Sequence, residues 1–135
     1  MSMLSTRHGE SLYVVFRMGI GILFFLVGTM KIFGLWGMPG GPAAFGTLVW
    51  FAGMGEILIG FALVFGVLVR LASIFGIIEM IVAYIIGHAL PSGTWNPIVN
   101  QGQPALLYML AFAVLLAYGA RKASFENVLW KRELF

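Results

Sequence analysis

Four ionisable side chains lie inside long apolar stretches of this sequence: Arg17, Lys31, Glu56 and Glu79. A charge placed in a bilayer core costs roughly 2.5–3.5 kcal/mol on insertion, so such residues turn towards other helices or a polar cavity. Their helical phase agrees with that. Arg17, Phe24 and Lys31 are spaced by seven with Gly21 and Gly28 between them, which puts both cations on one small-residue stripe. Glu56 shares a face with Ala52, Gly60 and Leu63, and Glu79 with Ala72, Gly76 and Ala83. A helix rises about 1.5 Å per residue. On that scale Glu56 is near the middle of its stretch, Arg17 and Glu79 lie towards the basic side of the molecule, and Lys31 is near the other end, where it can snorkel. The expected arrangement is a ladder with Arg17 close to Glu79 and within reach of Glu56, and with Lys31 serving the outer side. Two chemistries fit these residues. In one, Arg17 and a glutamate form an ion pair that fixes helix register, and the second glutamate is protonated or paired with Lys31. In the other, two carboxyls beside an arginine make a polar site for the head group of a lipophilic molecule such as a quinone, or for a proton relay.

A second polar group stands at the outer rim. His88 ends the third apolar stretch and is followed by Trp95, Asn96, Asn100 and Gln103; Tyr84, one turn before His88, shares its face. Regular α-helical spacing sets that face opposite to Glu79. A histidine beside Trp and Tyr suits a membrane rim, and it is also a candidate ligand or proton donor. The other histidine, His8, falls on the opposite side, so a bis-histidine haem within one chain does not fit, and no metal-ligand set is expected. Cysteine is absent, which excludes disulfides, iron–sulfur clusters and thiol exchange by this chain itself. No phosphate loop, HExxH or GxSxG occurs. The expected cofactors are therefore neither covalent nor metallic, with a bound quinone or lipid as the candidate ligand.

These residues need elements to hold them. Of 135 residues, 61% are hydrophobic and 10% charged, and mean hydropathy is +0.99; a soluble domain of this size needs more charge to cover its surface. A bilayer-crossing helix takes about 20 mostly apolar residues. Four stretches qualify: 12–35, 47–65, 71–90 and 104–119. The first lacks a short apolar core ending in a cleavage site, so it reads as a span and not a signal peptide. Gly34 to Gly46 is rich in Gly and Pro and breaks the helix. The Gly66–Arg70 turn is short and predicts a tight antiparallel hairpin, whereas Pro91 to Pro104 is a longer polar loop. The residues after Gly119 form a short amphipathic tail suited to the interface. The chain thus predicts an all-α four-helix transmembrane bundle, one domain over 1–135.

Arg7, Arg70, Arg121, Lys122, Lys131 and Arg132 all fall on one side of this four-span scheme, and the opposite loops carry no Lys or Arg. The positive-inside rule then places both termini in the cytoplasm (N-in/C-in). The net charge of +3 is too small and scattered for nucleic-acid binding. Frequent glycines, among them Gly19, Gly21, Gly28, Gly53, Gly55 and Gly60, provide close helix contacts, which in lipid rely on small residues.

The arrangement resembles the DoxX family of small four-helix membrane proteins. The first helix carries R-x-G-x-G-x-x-F-x-x-x-G-x-x-K (Arg17 to Lys31), and the second G-E-x-x-x-G-x-x-L-x-x-G-x-x-x-R-x-A (Gly55 to Ala72). Ala83 and His88 close the third. A loop with Pro97 and N-x-G-Q (Asn100 to Gln103) leads into A-L-L-Y of the fourth. The chain departs from the family where Gln103 replaces a frequent Glu, and where Ser124 and Glu126 are the nearest echo of a Ser-Asp ending. The resemblance implies a multi-pass protein of the cytoplasmic membrane of a bacterium or archaeon. It also implies kinship with the membrane subunit of thiosulfate:quinone oxidoreductase, hence a membrane subunit of a redox (quinone-linked) system. The alternative is a non-catalytic structural or assembly subunit of a larger membrane complex. The expected partners are the lipid bilayer and either another protein subunit or further copies of the chain. A transporter is less favoured, because no span is broken by proline.

Overall fold

A computed structural model describes residues 3–121 together with 124, 125 and 128. Expectations for Lys122, Glu126, Lys131, Arg132 and the amphipathic tail fall outside the described residues. Among those described there are helices and no strands: α1 (Met3–Phe33), α2 (Leu48–Phe65), α3 (Val69–Ser92) and α4 (Gln103–Tyr118). Three of them are long and apolar enough to cross a membrane, counting His8–Phe33 of α1; α4, with 16 residues, is a shorter apolar helix.

Local chemistry sets the boundaries. After α1 the chain turns at Gly34, whose φ of 67° is the left-handed conformation glycine adopts without a Cβ penalty. The Thr47 hydroxyl accepts a hydrogen bond from the Trp50 amide at 3.3 Å and caps the start of α2. Gly66 ends α2 with φ 68°, and the Gly66 and Val67 amides both donate to the Ala62 carbonyl, leaving a short turn before Val69. Pro104 sits in the first turn of α4, where its missing N–H costs nothing. Within α3, residues Ala83–Ala89 are π-helical.

Packing is pairwise. α1 lies along α2, and α3 along α4, with a looser seam between α2 and α3. Glycine makes the α1–α2 approach possible: a Cβ on Gly60 would stand 2.6 Å from the Phe25 amide nitrogen, and one on Gly28 2.7 Å from the Gly53 carbonyl oxygen. Gly76 plays the same part for α3 and α4, since a Cβ there would meet the Phe112 ring at 2.7 Å. Phe24 joins the two pairs through its ring contacts with Tyr108 (5.1 Å) and Phe112 (4.9 Å). Leu63 and Leu115, both 0% exposed, complete this core.

Candidate functional site

Lys31 ends α1 and Glu56 lies two turns into α2. The close contact of Gly53 with the Lys31 Cβ brings the two side chains together, and Lys31 Nζ donates to Glu56 Oε1 at 2.6 Å. Glu56 is 1% exposed, and its second oxygen has no hydrogen-bond partner. Glu79 reaches the same region from α3: its Oε2 lies 2.9 Å from where a Cβ on Gly55 would stand, so the glycine lets the carboxyl lie close against α2. Glu79 Oε1 is buried and has no hydrogen-bond partner.

The sequence places Arg17 beside these carboxyls, and the structure does not. Arg17 is fully buried, but its guanidinium donates to the Ala120 carbonyl and lies close to Gly66, at the end of the bundle where α2 turns into α3. The physical reason is length: fourteen helical residues separate Arg17 from Lys31, about 21 Å along α1, and Lys31 is the cation that meets Glu56. Of the two pairings expected for a structural role, the one through Lys31 is present. The Arg17 side chain instead helps fix the segment after α4, together with the bond from the Tyr13 hydroxyl to the Gly119 carbonyl at 2.6 Å.

A groove of about 760 Å³ runs along the seam of α2 and α3. Sixteen residues line it, and only Lys31, Glu79 and His88 bring polar side chains; Gly55 and Gly87 leave gaps in its walls. Phe51, Leu58, Phe75 and Ile86, all half exposed or more, flank its open side. His88 therefore shares a groove with Glu79 instead of facing away from it. The cause is the π-helical stretch Ala83–Ala89. Its i→i+5 bonding winds more slowly than an α-helix and turns every later side chain from the phase that 3.6-residue spacing predicts.

The rim is built around His88. Its Nδ1 lies 3.1 Å from the Asn100 carbonyl oxygen. A carbonyl only accepts, so Nδ1 is the donor, and in the neutral form of an imidazole so bonded the lone pair is on Nε2. The Asn100 side chain is occupied by the loop itself, donating to the Thr94 carbonyl at 3.0 Å and accepting from the Gly102 amide at 2.8 Å. Tyr84 donates to the Trp95 carbonyl. Gln103 is exposed at the start of α4 and is not part of the groove wall. The groove-lining Gly55 and Gly87 carry no chemical signal in the sequence, which reads them as packing or passes them over.

The DoxX family model matches residues 12–89, more than half of the chain. An uncharacterised protein of Haemophilus influenzae is 33% identical over 119 residues, covering 86% of this chain and 89% of that protein. No solved structure matches the chain. With apolar helices of spanning length and a family match that covers α1, α2 and most of α3, this chain belongs to the DoxX family of membrane proteins.

Proposed function

We propose that this protein is a membrane subunit of a quinone-linked redox system, and that the α2–α3 groove holds the polar head of the lipophilic ligand. One observation carries the reading: a large groove, apolar except for Lys31, Glu79 and His88, has Glu79 on its wall, and one oxygen of that carboxyl is buried without a hydrogen-bond partner. An unmade hydrogen bond in a buried place costs about 1–3 kcal/mol, which a turn of the carboxyl towards a ligand hydroxyl or carbonyl would relieve. The Lys31 ammonium offers a donor, His88 Nε2 an acceptor, and Glu79 either, according to its protonation. These are the partners that a quinone carbonyl and a quinol hydroxyl each require. The exposed apolar flank fits entry of the ligand from within the bilayer. The ligand supplies the electron chemistry, and the chain's residues orient it and hold or release protons. On this reading the electrons reach the ligand through a partner subunit.

The test is native mass spectrometry of the protein extracted gently from its own membrane. The wild type is expected to retain a quinone-sized ligand, and both Glu79→Gln and Gly87→Leu to lose it while remaining folded. Gly87 has nothing within 4 Å of a Cβ, so the leucine fills the groove without disturbing the helix packing. Retention of the same ligand by both variants would sink the proposal. The structural reading has its own support in the Lys31–Glu56 pair, which joins α1 to α2 and of which Glu56 does not line the groove. A partner complex isolated with no small molecule would leave that reading standing alone.

A further inference from the structure

The groove is not symmetric along the membrane normal. Its polar side chains gather towards one end: Lys31 in the last turn of α1, His88 near the end of α3, and Glu79 inward of both. At that end the Lys31 side chain is 20% exposed and the loop around Asn100 holds the imidazole. The opposite end is shut. Leu63, Val69 and Leu115 are 0% exposed there, and a Cβ on Gly66 would stand 2.7 Å from Ser124. Ser73, the polar residue nearest on α3, donates its hydroxyl to the Val69 carbonyl at 2.7 Å and is occupied. Among the described residues, no polar side chain lines the groove between Glu79 and the Gly66 turn.

We infer that Glu79 exchanges its proton with the aqueous face bearing the 34–47 and 93–102 loops, through the groove end that carries Lys31 and His88, and not with the face bearing the Gly66 turn. The inference extends the ligand-site reading by giving its protons a side. The step is a simple acid–base exchange: the carboxyl O–H breaks, the proton passes to water at the rim directly or by way of His88 Nε2, and the carboxylate remains. The charged and titratable groups facing Glu79 are Lys31 from α1, Glu56 from α2 and His88 from its own helix, with Tyr108 of α4 close enough to Glu56 to sense its charge. All of them lie at the level of Glu79 or on the rim side of it.

The absence of cysteine makes the test direct, because Glu79→Cys carries the single thiol of the chain. A charged, membrane-impermeant methanethiosulfonate reagent is added to sealed vesicles of either orientation, and modification is read by intact mass. Modification is expected when the reagent meets the 34–47 and 93–102 loops, and not from the other face. Reaction from the Gly66-turn face, or from neither, overturns the inference. If Glu79→Cys does not accumulate, the wild type serves with dicyclohexylcarbodiimide, which enters through lipid and modifies protonated carboxyls. Its rate at Glu79 should fall about tenfold per unit of rim-side pH above the titration range of the group, and ignore pH on the other side. Dependence on the other side's pH, or on neither, overturns the inference equally. Ligand retention is measured separately, so a protein that keeps its ligand but labels from the wrong side loses only the sidedness. One that labels from the rim but keeps no ligand loses only the ligand site.

Discussion

Glu56 and Glu79 stand close together in different surroundings. Glu56 is 1% exposed and bonded to Lys31; Glu79 is half-buried on the groove wall with an oxygen unmatched. Removing one member of a buried ion pair strands the other, at a cost of about 3–5 kcal/mol. Lys31→Met is therefore expected to lower thermal stability in detergent sharply, while Lys31→Met combined with Glu56→Gln recovers much of the loss because no charge remains unpaired. Glu79→Gln should move the unfolding temperature little. If the double variant unfolds no later than Lys31→Met alone, the pair is not what holds α1 to α2. The sequence makes all four charges within the apolar stretches visible, because each interrupts one. It did not reveal which cation meets which carboxyl. Helical phase describes each helix singly, whereas partner choice depends on the offset between helices. Arg17 shows the limit most clearly: its observed acceptor is a backbone carbonyl, which every residue possesses and no sequence pattern marks.

At the scale of elements, glycine positions decide the architecture. The Gly21/Gly60 and Gly28/Gly53 contacts bring the α1 and α2 backbones together, which was legible as a small-residue stripe because lipid-embedded helices have few other means of close approach. Not every glycine of α1 is in contact. Gly19 has nothing within 4 Å of a Cβ, whereas Gly60 meets the backbone of Phe25 at 2.6 Å. Gly60→Ala is expected to destabilise by about 1–3 kcal/mol through overpacking. Gly19→Ala should be neutral or stabilising by up to about 1 kcal/mol, since alanine is the better helix former. Unfolding of both variants by denaturing detergent, followed by circular dichroism, checks the contrast; equal effects would mean that the helices are not packed through Gly60. The π-helical stretch of α3 was not legible. Nothing in Ala83–Ala89 (AYIIGHA) departs from ordinary helical composition; in the structure Tyr84 and His88 of this stretch bond to the loop that follows. That change of winding moved His88 from the opposite face into the groove.

The whole molecule is two helix pairs meeting at a seam, closed at one end and open with polar groups at the other. The start of α1 and the end of α4 are tied together: Arg121 pairs with Glu10 at 2.7 Å and lies over the rings of Tyr13 and Tyr118, and Tyr13 bonds the Gly119 carbonyl. The start of α1 and the end of α4 thus share a side. The Gly66–Leu68 turn, with Arg70 just beyond it, lies there too, since Gly66 packs against Ser124. Lys and Arg concentrate on this side and are missing from the 34–47 and 93–102 loops. Membrane insertion retains such positive segments in the cytoplasm, which would make the polar rim of the groove the outer face. Helix α4, at about 24 Å, is shorter than the roughly 30 Å hydrocarbon layer. Buried Arg17 and half-exposed Arg121 therefore sit where the bilayer must thin or the charges must reach its surface. Reporter fusions decide the orientation. A fluorescent protein attached behind Phe135 should fluoresce. Alkaline phosphatase should be active when fused after Phe45 or Ile98 and inactive after Val67. Activity after Val67 with none after Phe45 would invert the molecule in its membrane, and the groove would then exchange protons with the cytoplasm through the same rim residues.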